Sequence, residues 1–217
     1  MTDMRPAPRA LLVDFDGVLR RWPENDWIIE RAHGLPMGAI RAAAFEPALL
    51  ARAITGAISD EAWRQEIVAR LLMAHGSADV GAAVAEWSTP AGALDPRVHE
   101  ILAQCRNGLR LVLVTNATTR LPQDMAQLGL DGFFHAIANS SAVGSAKPDA
   151  AMFEAALSMA GVAADEALYV DDSPRNVSVA QAMGLRSCVF RGHESLRAFL
   201  QSHGVWQTAN AMARWDR

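Results

Sequence analysis

The stretch Leu11-Leu12-Val13-Asp14-Phe15-Asp16-Gly17-Val18-Leu19 carries two carboxylates onto a glycine turn at the end of an apolar run. The run reads as a buried strand. Residues i and i+2 of a strand point to the same side, so Asp14 and Asp16 address one site. Two like charges so close repel, burial sharpens the repulsion, and a cation is the usual remedy. The pair points to a metal-assisted site at a strand end. A D-x-D-G motif alone is explained as readily by a surface turn, so its meaning depends on what lies downstream.

From Asp95 onward, helix and strand signals alternate. Val98, Ile101, Leu102 and Cys105 form a helical stripe that stops at Asn107-Gly108. Residues 109–114 predict a short strand ending in Thr115-Asn116, and residues 118–128 a helix stopped by Gly129. A strand over 133–138 ends at Asn139, and Pro148 opens a helix that runs to Met159. A strand over 167–170 ends in Asp171-Asp172, a helix spans 174–183, a strand 186–190 and a helix 194–202, with a tail beyond. This alternation predicts an α/β fold, a Rossmann-like, doubly wound parallel sheet with right-handed crossovers. Ligands of such sheets sit beyond the carboxyl ends of the strands. Asp14 and Asp16, Thr115 and Asn116, and Asp171 and Asp172 should therefore meet on one edge.

Between the first strand and about Ser88 the periodicity is helical only. Ser59 followed by Asp60-Glu61 reads as a helix start. Trp63, Ile67 and Leu71 then repeat at i+4, with Val68 and Leu72 widening the stripe. Residues 25–52 look similar, broken at Gly34-Leu35-Pro36 and at Pro47. We therefore expect a core domain of residues 1–19 and 90–217, interrupted by a helical cap domain of residues 20–89 that emerges above the strand-end site. Arg20, Trp22, Glu24 and Trp27, near its hinge, are candidates for substrate contact.

Composition narrows the class. The 217 residues are 51% hydrophobic with a net charge of −4, as in an ordinary globular enzyme. Residues 124–191 hold only Lys147, Arg175, Arg186 and Arg191 as cations, so no basic run suits nucleic acid. Cys105 and Cys188 are too few for a disulfide scaffold, and the six histidines show no ligand spacing. The apolar segment after the basic opening is too short for a signal peptide, and no run approaches membrane-spanning length. A cytoplasmic location, without membrane association, is expected.

The strand-end residues together form a chemical constellation. Hard oxygen ligands without His or Cys point to magnesium. Thr115, Asn116, Lys147 and the cation supply what a transferring phosphoryl group needs for its equatorial oxygens. One aspartate can attack phosphorus while its neighbour handles protons. Taken singly the residues are ambiguous. Lys147 before Pro148 reads as a solvated residue at a helix start, Asn176 fits a helix start equally well, and Asp171 can simply cap a helix. Trp63 reads as core from its stripe.

In order along the chain, Asp14-Phe15-Asp16-Gly17-Val18-Leu19, Thr115-Asn116, Lys147-Pro148-Asp149 and Tyr169-Val170-Asp171-Asp172-Ser173-Pro174-Arg175-Asn176 resemble the four motifs of the haloacid dehalogenase superfamily. The helical insert resembles that superfamily's C1 cap. Residues 53–63 are similar to a cap segment near bacterial sugar-phosphate phosphatases and the phosphatase domain of soluble epoxide hydrolase. The resemblance implies that Asp14 is the nucleophile forming an aspartyl-phosphate. It makes Asp16 the general acid and base, with its carbonyl on magnesium. Thr115 and Asn116 would bind phosphoryl oxygens, and Lys147 would neutralise charge between nucleophile and phosphate. Asp14 and Asp172 would ligate Mg2+, with Asp171 and Asn176 holding its waters or the loop. Halide-displacing members lack the second acid, so Asp16 argues against dehalogenation. The implied activity is hydrolysis of a small phosphorylated metabolite, such as a sugar phosphate, by a monomer or homodimer. A sugar-phosphate mutase or a non-catalytic binding module are the alternatives.

Overall fold

The computed structural model describes residues 6–76 and 79–206. The basic opening up to Arg5 and the tail beyond Trp206 lie outside the described residues.

In chain order the elements are β1 (Ala10–Val13), β2 (Arg20–Arg21), α1 (Asp26–Ala32), α2 (Ala39–Ala44), α3 (Pro47–Ile54), α4 (Asp60–His75), α5 (Val80–Ser88), β3 (Ala93–Leu94) and α6 (Pro96–Cys105). There follow β4 (Arg110–Thr115), α7 (Leu121–Gln127), β5 (Ala136–Asn139), α8 (Ser140–Val143), α9 (Ala150–Ala160), β6 (Ala167–Asp171), α10 (Pro174–Ala182), β7 (Arg186–Val189) and α11 (His193–Ser202). Five strands form a parallel sheet in the order β5-β4-β1-β6-β7. The first strand is thus central, flanked by β4 and β6, and all three groups of polar strand-end residues share one edge.

Strand alternation sorts the core into two layers. Leu11, Val13, Leu111, Leu113, Leu168 and Val170 face α6, α7 and α11. Leu12, Val112, Val114 and Tyr169 face α9 and α10. Helix starts follow local chemistry. Asp95 accepts from the N–H groups of Arg97 and Val98 ahead of Pro96, and Ser173 caps α10 ahead of Pro174.

Helices α1 to α5 pack around a separate cluster of Ile29, Ile40, Leu49, Trp63, Ile67, Leu71 and Val84. The two chain crossings into this insert lie side by side, because Arg20 pairs with Leu94 and Arg21 with Ala93 in a short antiparallel ribbon. The insert is docked on the core edge. Asp60 accepts from the Thr118 hydroxyl at 2.7 Å and donates its N–H to Thr119 at 2.9 Å. Gly56, at φ +73°, packs so closely on the Ser141 carbonyl that a Cβ there would collide with it.

Three expectations shift. Residues 133–134 are not strand, because Phe133 and Phe134 pack edge to face beneath the sheet and β5 starts at Ala136. The helix expected from Pro148 starts at Ala150, since residues 147–149 form the turn that carries Lys147 into the site. Leu72 does not extend the buried stripe of α4: it is 46% exposed.

Candidate active site

Asp14 follows β1 directly, its N–H bonded to the Val170 carbonyl at 2.9 Å. The chain then turns through Gly17 at φ +80°, a region L side chains rarely adopt, and a Cβ there would strike the Asp172 carboxylate. Glycine thus lets the first motif lie against the last.

Lys147 is buried, not solvated. Its Nζ lies 2.6 Å from Asp14 Oδ1 and 2.7 Å from Asp171 Oδ2. Asn116 locks the lysine's main chain, donating from Nδ2 to the Lys147 carbonyl at 2.9 Å and accepting from its N–H at 2.7 Å. The side-chain amide of Asn116 is thus engaged with the Lys147 main chain at the strand end where a phosphoryl group is expected. Asp171 does more than cap a helix. It accepts from the Tyr169 hydroxyl, from Ser173 N–H at 2.8 Å and from Asn176 Nδ2 at 3.1 Å, besides Lys147.

Burial pushes the Asp14 carboxyl up to about 7, opposed by the Lys147 ammonium and aided by the nearby Asp171 charge. Burial also works against the charge on Lys147, yet Asp14 and Asp171 outweigh it and hold the ammonium above its ordinary value. Burial would raise Asp171 too, but Lys147, Tyr169 and Ser173 keep it below the usual carboxylate range. Asp172 is raised by burial and then by Asp171. Three carboxylates thus face one ammonium, and each can place an oxygen within 4.8 Å of the other two. This all-oxygen, charge-deficient cluster fits a hard divalent cation such as Mg2+. Asp171 is saturated by its partners, so Asp14 and Asp172 are the carboxylates open to direct ligation, with Asp171 and Asn176 behind them. The Thr115 hydroxyl is buried and has no hydrogen-bond partner among the described residues. Leaving such a group unpaired costs about 1–3 kcal/mol, and a ligand oxygen would relieve it.

Asp16 faces the hinge. Its carboxylate accepts from Arg20 Nε at 2.7 Å, Arg20 Nη2 at 2.9 Å and Trp22 Nε1 at 2.8 Å. Arg20, taken from sequence as a possible substrate contact, is buried between the rings of Phe15 and Trp22, its Cζ 4.2 and 4.3 Å from their centres. Its Nη1 reaches Asp124 at 2.8 Å, Asp124 accepts from Arg120 Nε at 2.7 Å, and Arg120 donates to the hinge carbonyls of Ser88 and Pro90. Arg120 and Asp124 escaped the sequence reading, and Tyr169 entered it only as part of the fourth motif, with no role. Their signals were present: an i,i+4 charge pair on one helix, and the chain's single tyrosine two residues before Asp171, on the same side of the strand.

Residues 8–184 match the family described as haloacid dehalogenase-like hydrolase. Haloacid dehalogenase-like hydrolase domain-containing protein 3 of Xenopus laevis is 34% identical over 97 residues, 44% of this chain and 40% of the relative. Phosphoglycolate phosphatase 1 of Pseudomonas aeruginosa is 33% identical over 82 residues, 37% of this chain and 30% of that protein. Across six curated relatives the matched part spans 30% to 51% of the relative's length. Among solved structures, a Bacteroides thetaiotaomicron enzyme in complex with magnesium and inorganic phosphate superposes with a TM-score of 0.68 at 18% identity, covering 84% of this chain and 94% of its own. At that identity the likeness concerns the fold. No helix among the described residues is long and apolar enough to cross a membrane.

Proposed function

Because this chain belongs to the haloacid dehalogenase-like hydrolase family, we propose that it hydrolyses a small organic phosphomonoester by way of a phosphoryl group on Asp14. The observation that carries this reading is Lys147, buried and bridging Asp14 and Asp171 at 2.6 and 2.7 Å, beside the unpartnered Thr115 hydroxyl. Such a site holds a negatively charged group against the nucleophile and neutralises it.

A carboxylate oxygen of Asp14 attacks phosphorus, and the bond from phosphorus to the alcohol oxygen breaks. Asp16 gives a proton to the departing oxygen, for which one carboxylate oxygen leaves the Arg20 and Trp22 donors that engage both of them in this structure. The resulting Asp16 carboxylate then takes a proton from water as the water oxygen attacks phosphorus, the bond to Asp14 breaks, and inorganic phosphate leaves. Lys147 and Thr115 orient the phosphoryl oxygens, and Asn116 fixes the lysine. Bound by Asp14 and Asp172, Mg2+ would offset the clustered negative charge and polarise the phosphoryl group. Asp16 favours phosphate esters over halide displacement, because a halide leaves without a proton.

The test is phosphate release from a simple alkyl phosphomonoester. Turnover with Mg2+, lost in chelator and in folded Asp14→Asn, supports the reading. Isomerised sugar phosphate without free phosphate would shift it to phosphoryl transfer, and undiminished turnover in Asp14→Asn would sink it.

A further inference from the structure

We propose that the leaving alcohol of the substrate carries a flat, uncharged aromatic ring, and that a second anionic group on it is disfavoured. The inference rests on the phosphomonoesterase reading above and names its substrate class.

A cavity of about 840 Å³ lies between the insert and the strand ends, reaching the catalytic edge at Asp16 and Asn116. Cavities of roughly 300–1,000 Å³ take drug-sized ligands, so this one has room for far more than a two-carbon alcohol. Its walls hold Trp22, Trp27, Phe45, Trp63 and Trp87, four of the chain's six tryptophans among them. The polar edges of three indoles are spent on the protein. Trp22 donates to Asp16, Trp63 to the Ala44 carbonyl at 3.2 Å, and Trp87 to Asp26 at 3.2 Å. What these side chains leave for a ligand is ring surface. The rings already assemble with one another, Trp63 and Trp87 at 5.9 Å between centres and Phe45 edge-on to Trp87 at 6.4 Å. Trp22, Trp27 and Phe45 are nonetheless 44%, 52% and 45% exposed at this one opening. Large aromatics gathered and left exposed around a cavity mark a binding surface.

Charge selects further. Three arginines line the cavity, and each is already paired with a carboxylate: Arg20 with Asp16 and Asp124, Arg120 with Asp124, and Arg41 with Asp26 at 3.1 Å. Glu24 and Glu30 add negative charge to the lining. A carboxylate on the leaving group, as in phosphoglycolate, would meet spent cations and the charge of Glu24. A sugar would set its hydroxyls against indole rings three of whose four N–H groups are taken. An apolar ring would displace water from these faces without leaving any polar group unpaired.

Three alkyl esters with leaving oxygens of comparable kind form the test: 2-(1-naphthyl)ethyl phosphate, glucose 6-phosphate and phosphoglycolate, assayed with Mg2+. The naphthyl ester should exceed both others in kcat/KM by about tenfold or more, mainly through KM, as ring stacking and apolar burial allow. Trp27→Ala, a change at a half-exposed side chain that should not disturb folding, should remove most of that advantage through KM. A preference for phosphoglycolate or glucose 6-phosphate, with turnover still dependent on Asp14, overturns this inference and leaves the phosphatase reading intact. Absence of turnover for all three fails the phosphatase reading instead. Calorimetric titration with 2-(1-naphthyl)ethylphosphonate then decides the pocket: binding weakened by Trp27→Ala upholds the aromatic preference, and no binding overturns it.

Discussion

Arg20 grips Asp16 through two nitrogens, at 2.7 and 2.9 Å, while its third nitrogen reaches Asp124 at 2.8 Å. The proposed general acid is therefore aimed by a buried guanidinium at the hinge, and the same guanidinium ties it to the linker through Arg120. Such a fork cannot be reproduced by an ammonium. Arg20→Lys keeps the charge but loses the aim. We expect kcat to fall about a hundredfold with KM little changed, the cost of misplacing a catalytic group by about an ångström. Unchanged kcat in folded Arg20→Lys would show that Arg20 does not position Asp16.

Lys147→Arg should be more damaging. The ammonium sits in a buried space between Asp14 and Asp171, where a compact cation reaches both at 2.6 and 2.7 Å. A planar guanidinium is larger and must displace one of them. Loss of kcat by about a hundredfold or more is expected, as for removal of one charge-stabilising donor. Steady-state kinetics alongside thermal unfolding checks this, and a variant with near wild-type kcat contradicts it.

Removing the metal should give stability a pH slope of defined sign. The folded-state pKa of Asp14 is pushed up from 3.8 to about 7, so the folded state binds its proton more tightly than the unfolded chain does. The associated stability is present below about pH 4 and is lost as pH rises through about 7. Asp171 is shifted the other way, and its contribution is lost only on acidification below the ordinary carboxylate range. Calorimetry in chelator at pH 8 should find Asp14→Asn melting above wild type, the gap closing toward pH 4. Each kcal/mol corresponds to about 2–4 °C for a chain of this size. Mg2+ should raise the wild-type Tm more than that of Asp14→Asn or Asp172→Ala. Equal shifts in wild type and Asp172→Ala would remove Asp172 from the ligand set.

Asp16→Asn should discriminate by leaving group. An alkyl ester needs the proton that Asp16 supplies, and its first step should slow by about 10²–10⁴-fold. A nitrophenyl ester departs without that proton, so its first turnover should slow far less. Rapid-quench measurement of the first turnover compares them. An equal drop for both esters would deny Asp16 the role of acid.

Much of this was legible in the sequence because three of the four motifs sit where a strand must end. The apolar run from Leu11 to Val13 marked a buried strand, and Pro174 behind Ser173 set a helix start. Lys147 carried a signal that its local context hid: it is the only lysine in the chain, the other 19 cationic side chains being arginine. What spacing could not show was which partner each polar atom chooses. Asn116 and Thr115 are neighbours, yet the amide folds onto the Lys147 main chain while the hydroxyl stays unpaired. Arg20 belongs to the insert's edge by sequence, but a contact with Asp124, 104 residues away, makes it part of the site. The aromatic cavity was legible in part: Trp22 and Trp27 stood out beside the hinge, but their convergence with Trp63 and Trp87 comes only once the insert has folded over the strand ends.

The central claim is that Asp14 accepts the phosphoryl group. Asp16→Asn, mixed with Mg2+ and a nitrophenyl phosphomonoester and quenched in acid, should form the covalent intermediate while lacking the base that activates water for its breakdown. Peptide mass spectrometry should then find one added phosphoryl mass on the peptide containing Asp14. The same adduct should be missing from the Asp14→Asn, Asp16→Asn double variant. A phosphoryl mass on any other residue, or rapid release of phosphate with no adduct at any quench time, would contradict the account.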